Sequence, residues 1–527
     1  MPRKEQIRWT VEEELSEAEE AICRRCQRNG RLYVFLRRHR LELFDPTFQE
    51  ELTKLYADSP MGQPPLPPAL LAMVTVLQAA DGVSDEGAVN EAIFDRRWQM
   101  VLGCLGAEEA PFSQGALVDF RRRLIAKGLH LRLIDRSVAL AKQTGGFGFT
   151  QLRVALDSAP LWGAGRVEDT LNLVAHALEV VVSCVAFFLE RTDADVRAAA
   201  GLRLVGQSSL KAALDLDWDD PDERHRGLQE LIGEVDRLRA WLKAEVDASV
   251  LALSSVQTAL AQLERVLNQD LEPDPERGGQ RITQGTAKDR QISIRDPSMR
   301  HGRKSSSTTI KGFKRFIAKE LDHGLILGVT VQPANQPERD ADTTLRAQVE
   351  KHGEVASLYI DRGFLASPWT AQMYNNGGHI VCRPWRPQNR GLFTKDAFQI
   401  DLDENTATCP AGEARPIEGD IVRFSAAICA ACPLRADCTR AKEGRGRTLT
   451  IHPSERLMQQ LSQARKTPEG RAELRKRVPV EHSLAHICNR QGRNARYVGL
   501  EKNIFDLCRY AFIENCFLAD RLERMAA

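Results

Sequence analysis

Val355-Ala356-Ser357-Leu358-Tyr359-Ile360-Asp361-Arg362-Gly363-Phe364 is an apolar run that ends on a carboxylate and is followed by an Arg-Gly turn. Aliphatic and aromatic residues over six positions, closed by a glycine turn, predict a buried strand. The same pattern occurs earlier, where Leu152-Arg153-Val154-Ala155-Leu156 runs into Asp157. A carboxylate at the end of a buried strand is held by a rigid element and projects into a cleft. Further strand-like segments lie at 310–317 and at 325–331, the latter closed by Pro333-Ala334-Asn335. Ile380-Val381-Cys382, before Pro384, is another. These segments predict one sheet assembled from distant parts of the chain. Taken singly, a strand-end Asp is more often a turn or cap residue, so Asp157 and Asp361 gain weight only together with a third group.

Two stretches interrupt the sheet. Residues 167–270 carry Leu228, Leu231, Val235, Leu238, Leu242 and Val246 at three- and four-residue spacing, which predicts an amphipathic helix or helical hairpin. From Lys211 to Val250 there are eleven acidic residues against six basic. The apolar run 177–189 is too short to cross a bilayer and carries Glu179, so it reads as a buried helix, with no membrane partner. The second interruption, 385–460, holds a cysteine cluster. After it, Thr467 caps a helix with Pro468 in its first turn, and Pro479 opens the helix that carries Glu481.

Residues 1 to about 150 read as helical. Leu32, Phe35 and Leu36 form an apolar stripe before Asp45-Pro46, and Leu70, Leu71, Val74 and Leu77 form a second. Ser59-Pro60 and Pro64-Pro65-Leu66-Pro67-Pro68 make a stiff linker between them, because proline fixes φ and removes a donor. Ser84 and Ser113 open two more helices, and the second carries Arg121-Arg122-Arg123. Such a module reads as DNA-binding, with a helical bundle that only dimerises as the bland alternative.

At 527 residues, two to four domains are expected. With 43% apolar and 28% charged residues, the chain has a globular balance. Net charge is only +1, yet 281–319 holds eleven Lys/Arg against two Asp, and 465–496 nine against three Glu. Basic segments flanking candidate carboxylates point to a phosphate-bearing partner. The amino terminus has no signal-peptide core, and twelve cysteines suit a reducing cytoplasm better than a disulfide framework.

Two Asp and a Glu brought to one point repel one another unless cations intervene, and an all-oxygen donor set suits Mg²⁺ or Mn²⁺. Two such ions, about 4 Å apart, activate an attacking hydroxyl and stabilise a leaving oxygen in phosphodiester chemistry. Arg477, four residues before Glu481, lies on the same helix face if Pro479 leaves the register intact. Cys409, the pair Cys429/Cys432 and Cys438 supply four thiols within thirty residues, a set that fits a closed structural Zn²⁺ site; the bland reading is four free cysteines. Cys23 and Cys26 have no second pair nearby. Trp385, between Arg383 and Arg386, reads more readily as a core residue than as a stacking platform for an unpaired base. His482 and His486 share a helix face, but no HExxH is present.

The order strand-Asp157, strand-Asp361, helix-Glu481 resembles the catalytic core of bacterial insertion-sequence DDE transposases. Local strings carry the resemblance: Ala155-Leu156-Asp157-Ser158; Asp296-Pro297 followed by Lys311-Gly312-Phe313-Lys314; Tyr359-Ile360-Asp361-Arg362-Gly363-Phe364; and Arg477 with Glu481, followed by the passage Gly492 to Gly499 and Asn515. In the amino-terminal part, Gly82-Val83-Ser84-Asp85-Glu86 and Arg97-Trp98 resemble the same proteins' helical domain. The resemblance implies an α/β fold: an RNase H-like mixed sheet with helices, interrupted by a helical and a small Cys-rich insertion and preceded by an all-α domain. The implied division is 1–150 for DNA binding or dimerisation, 151–166 with 281–384 for the catalytic core, 167–280 for the helical insertion, 385–460 for the zinc insertion, and 461–527 completing the core. It implies catalysis by Asp157, Asp361 and Glu481 with two Mg²⁺ or Mn²⁺ ions, and double-stranded DNA as partner. DNA contacts are expected from Arg477, Arg490, Arg493, Arg496, Lys311, Lys314, Arg121, Arg122 and Arg123, in a homodimer that pairs two element ends in the bacterial cytoplasm, at the nucleoid. Two positions depart from the family's pattern: Leu474 stands where a Tyr is usual and Cys488 where a Lys is usual, leaving Arg490 or Arg493 as replacement phosphate cation. The competing readings are a domesticated DNA-binding regulator that no longer transposes and a plain nuclease. Inverted repeats flanking the coding sequence separate them.

Overall fold

The structure, a computed structural model, describes residues 7–26, 30–56, 65–303, 307–385 and 388–526. Ser59, Pro60 and Pro64 of the expected linker, and Arg386 beside Trp385, lie outside the described residues.

The amino-terminal helices start and stop where local chemistry says they should. Asp45, Ser84 and Ser113 accept from the backbone N–H groups of Phe48, Gly87 and Ala116 and so cap the helices Pro46–Thr53, Asp85–Phe94 and Gln114–Ala126. The helix Pro68–Asp81 is apolar nearly all round and is buried from Pro68 to Ala79. It ends at Gly82, whose φ of +69° is a left-handed cap.

The sheet begins with β1, Leu152–Trp162. A small hairpin follows, β2 (Leu271–Pro273) with β3 (Gln280–Ile282). Then come β4 (Arg300–Arg303), β5 (Thr309–Glu320), β6 (Ile326–Pro333), β7 (Val355–Ile360) and β8 (His379–Cys382). β5 runs antiparallel to β1, and its other edge is shared by β4 and β6, also antiparallel. β7 lies parallel to β1, and β8 parallel to β7. Across the sheet the order is β6–β5–β1–β7–β8, with β4 extending the β6 edge.

One boundary differs from the sequence reading. β1 does not stop on Asp157 but runs on to Trp162, because β5 continues beside it as far as Gly312. β7 pairs with β1 only up to Ala155–Tyr359, so Asp157 sits just beyond the end of its parallel neighbour. At Gly312 φ is +140°, and a Cβ there would lie 2.2 Å from the Gly163 nitrogen.

No gap in the core follows residue 145. The helices from Arg31 to Gly145, both faces of the sheet and the long helix Leu500–Ala526 share one continuous apolar core. Phe505, Leu507, Phe512 and Ile513 of that helix are fully buried, each worth about 1.5–3 kcal/mol of transfer free energy. Two of its buried polar side chains are tied to the same partners: Arg509 donates to Thr75 O and Gln78 Oε1, and Asn515 to Ser137 Oγ and Ile326 O.

The helical insertion has a second, separate core built from Thr170–Phe188, Pro221–Glu245 and Ser254–Asp270. Residues 228 to 242 of the amphipathic pattern lie on a single 25-residue helix. Thr170–Phe188 has a mean hydropathy of 1.9 and is the one helix among the described residues long and apolar enough to cross a membrane. Its Leu173, Val174, Ala177, Leu178 and Val181 are buried in the insertion's core, as the sequence reading expects. The insertion's ends meet: the Glu168 N–H donates to Ile292 O at 3.0 Å, and Arg290 and Thr170 both hold Asp270.

A third small core, around Phe398, Ala407, Val422, Phe424 and Leu449, organises the cysteine-bearing stretch. Its strands are β9 (Gln399–Asp401), β10 (Thr406–Thr408), β11 (Ala414–Pro416), β12 (Ile421–Arg423) and β13 (Thr448–Thr450). The helices Glu455–Ala464, Pro468–Arg475 and Val478–Gln491 then return the chain to the sheet.

Candidate active site

Asp157 projects from β1 where β7 has ended, Asp361 follows the last residue of β7, and Glu481 lies in the first turn of Val478–Gln491, which packs on β1. Pro479 falls within that helix's first turn, where its missing N–H costs nothing, so the register survives and Arg477 sits at the N-cap. One guanidinium then meets all three carboxylates. Arg477 Nη2 lies 2.7 Å from Asp157 Oδ1, and Nη1 lies 3.2 Å from Asp361 Oδ1 and 2.8 Å from Glu481 Oε1. Nη2 also donates to Leu156 O at 3.3 Å.

The three carboxylates are not equivalent. The Asp157 side chain is 13% exposed, against 58% for Asp361 and 52% for Glu481. Burial pushes the Asp157 carboxyl up to about 6; Arg477 and the Ser158 N–H pull it down, while Asp361 and Glu481 push it up. The arrangement is one anchored carboxylate and two reaching into solvent, with a cation between them. All the donors are oxygens, the set a hard divalent cation prefers. Among the described residues no three His, Cys, Asp or Glu side chains are already spaced as a metal cage.

Two grooves meet at these residues. One, of about 610 Å³, passes Asp157, Ser158, Arg303, Lys314 and Glu338. The other, of about 870 Å³, passes between β8 and the helix Pro468–Arg475. Glu338, which the sequence did not single out, accepts from Ser158 Oγ at 2.6 Å beside Asp157. Its signal was absent because it opens a short helical turn, Glu338–Ala341, rather than ending a strand.

The expected DNA-contacting cations are dispersed. Arg121 is buried at 8% exposure, held by Asp85 through two 2.7 Å bonds and stacked 5.2 Å from the Tyr497 ring. That corrects its expected place on a DNA face: it is a core strut. Arg122 and Arg123 both pair with Asp119, and only Arg122 is well exposed. Arg490 is engaged by Glu514 and the Phe517 ring, and Arg493 lies over Trp162 at 3.9 Å. Arg496 donates to Gly82 O. The Arg493–Ala495 backbone is stitched to the end of β1 through Trp162. Lys311 is exposed on β5. Lys314 donates to Gln336 O at 3.0 Å, and burial lowers its ammonium's pKa. Trp385 is 51% exposed, which corrects its reading as a core residue: Pro384 turns the chain outward after β8.

Cys409, Cys429, Cys432 and Cys438 line one small cavity of about 30 Å³. Cys432 caps the helix Ala426–Ala431, and Cys438 ends Arg435–Cys438. Burial pushes the Cys438 thiol up, with its three neighbours adding to the rise and Arg447 opposing it. The four thiols line the same cavity, but among the described residues they do not make a group of three or more spaced to hold a metal ion. Cys23 and Cys26 are free.

Two family models match the chain. A transposase DDE domain matches residues 408–516, a span that contains the four cysteines, Arg477 and Glu481. A transposase domain (DUF772) matches residues 28–123, within the amino-terminal helices. No curated protein and no solved structure matches.

Proposed function

Since the chain belongs to the DDE transposases of insertion sequences, we propose that it binds the terminal inverted repeats of its element, cleaves DNA there and joins the new 3′ end to a target. The observation that carries the catalytic part is the single guanidinium of Arg477 shared by Asp157, Asp361 and Glu481. Carboxylates from a central strand, its parallel neighbour and a returning helix have no structural reason to converge on one half-exposed point. The strand order supports an RNase H-like core: numbered along the chain, the five main strands lie 3-2-1-4-5 with the second reversed.

Asp157, Asp361 and Glu481 fit Mg²⁺ or Mn²⁺. Held there, such ions supply Lewis-acid activation of a water or 3′-hydroxyl and stabilisation of the leaving oxygen. The protein's own part is placement. Burial of Asp157 fixes the inner carboxylate, while Asp361 and Glu481 face the grooves where a phosphodiester enters. Arg477 neutralises the cluster until the nucleic acid and cations arrive, and its charge then stands beside the developing negative charge of the phosphoryl group. The four thiols lining one cavity are the donor type of a structural Zn²⁺, which, once they draw together around it, would hold the cysteine-bearing stretch without chemistry of its own. Pairing two element ends requires two such sites, so the working form is a homodimer on duplex DNA.

The test is isosteric charge removal in the full chain, on a plasmid carrying the element's own ends. Asp157→Asn, Asp361→Asn and Glu481→Gln each retain end binding and lose Mg²⁺-dependent strand cleavage by at least about 10²-fold. The exposed decoy Asp401→Asn leaves cleavage intact. Variants that cut as well as the parent would rule the assignment out.

A further inference from the structure

The larger of the two grooves has a charge the fold leaves uncompensated. It is lined by Arg362, Arg383, Arg465, Arg471, Arg475 and Arg477, against the two carboxylates Asp361 and Glu481. The smaller groove balances Arg303, Lys314, Arg362 and Arg477 against Asp157, Glu338, Asp361 and Glu481. Among the described residues only Arg477 of these six is ion-paired. Arg362 donates to Arg383 O and Arg471 to Lys466 O, which satisfies protons but not charge. Glu473, on the same helix as Arg471 and Arg475, is taken by Lys476 at 2.6 Å and by the Tyr359 hydroxyl. The five arginines other than Arg477 come from three places, the turn after β7, the end of β8, and the helical segment 465–475. They form two walls over a floor of Ile360, Val381, Leu474 and Val478.

Clustered, exposed and unpaired guanidinium groups repel one another and destabilise the free protein unless a polyanion is their natural partner. Guanidinium forks match phosphate oxygens two at a time. We propose that this groove is the binding track for the sugar-phosphate backbone of the DNA strand that runs into the carboxylates, with Arg383, Arg465, Arg471 and Arg475 as its phosphate contacts. The neutral groove, which meets it at Asp361, Arg362, Arg477 and Glu481, is left open to the attacking hydroxyl. This rests on the transposase reading and adds to it the side from which the strand enters.

The experiment uses the full chain in EDTA with a fluorescein-labelled 40-bp duplex of mixed sequence, by anisotropy across about 50–200 mM salt. Each phosphate contact contributes about 0.9 to the slope of log K against log salt. Arg465→Gln with Arg475→Gln therefore lowers the slope by about 1.8 and weakens binding about tenfold or more near 100 mM salt. Arg383→Gln, on a different wall, lowers the slope by about 0.9. Arg465→Lys with Arg475→Lys keeps the slope. A control pair of equal charge, Arg224→Gln with Arg226→Gln on the helical insertion, leaves the slope unchanged. If the parent binds but the groove variants keep its slope, or the control pair loses as much, the track is wrong while the DNA-binding reading stands. If the parent does not bind duplex at all, the reading fails and the track with it.

Discussion

Arg477 spends its charge on three partners, so its loss is felt most at the least exposed of them. Asp157, 13% exposed, would be left with a desolvated charge and two negative neighbours. Arg477→Gln should cost on the order of 3 kcal/mol in metal-free protein, the usual price of orphaning a buried ion. Adding Asp157→Asn should restore most of it, because the orphan is then neutral. Urea denaturation of both single variants and the double variant in EDTA measures the coupling. A double variant as unstable as the sum of the singles removes the claim. A second residue sets a pH dependence far from the site. His130 is buried beside the Phe505 ring, and burial lowers its pKa from 6.5 to about 4. A folded pKa below the unfolded one means stability that is whole above pH 6.5 and lost as pH falls toward 4. The contribution is on the order of 3 kcal/mol. His130→Leu should flatten the decline in unfolding free energy between pH 7 and 4, and a decline parallel to the parent's would show that His130 does not titrate on unfolding.

At the scale of elements, local pattern carried some boundaries and not others. β7 is the run 355–360 as the sequence reads it, because its apolar string ends level with Cys382, the last residue of its parallel neighbour β8. β1 could not be read to its end, since residues 158–162 owe their extended state to β5, a partner 150 residues away. Gly312 is where that pairing closes, and Gly312→Ala should lower the melting temperature by several degrees, as a Cβ meets the Gly163 backbone. An unchanged melt would mean that the strand ends shift freely. Arg121-Arg122-Arg123 misled for a geometric reason: consecutive helical residues point about 100° apart, so three in a row cannot all face one surface. The groove arginines were legible only as a high local count, because their convergence needs the return of 465–475 to β8. For the cysteine stretch, Cys432→Ser should lower its thermal stability and abolish about one bound Zn²⁺ per chain. Freshly purified parent protein with no zinc by elemental analysis would leave the thiols as a plain apolar contact.

Taken whole, the molecule is one large core with two smaller ones, and the helical insertion's core is attached through a narrow neck. Glu168 and Ile292 are hydrogen-bonded neighbours, so residues 169–291 leave and return at one point. Replacing 169–291 by a short Gly/Ser linker should leave a soluble protein whose sheet still unfolds cooperatively, and calorimetry of the parent should resolve two transitions. A single transition in the parent, with an insoluble deletion, would make the insertion part of the main core. The helix Leu500–Ala526 has a consequence of another kind. It lies against the helix Pro68–Asp81 and β6 and anchors to Thr75 and Ser137, so the earliest part of the chain has no finished partner until residues 500–526 have been made. Asp157 likewise waits for Glu481. At about 5–20 residues per second of synthesis, more than ten seconds separate the emergence of the two. During that interval the apolar faces of the early helices stay uncovered. The three carboxylates around Arg477 therefore come together only in the last moments of the chain's own making.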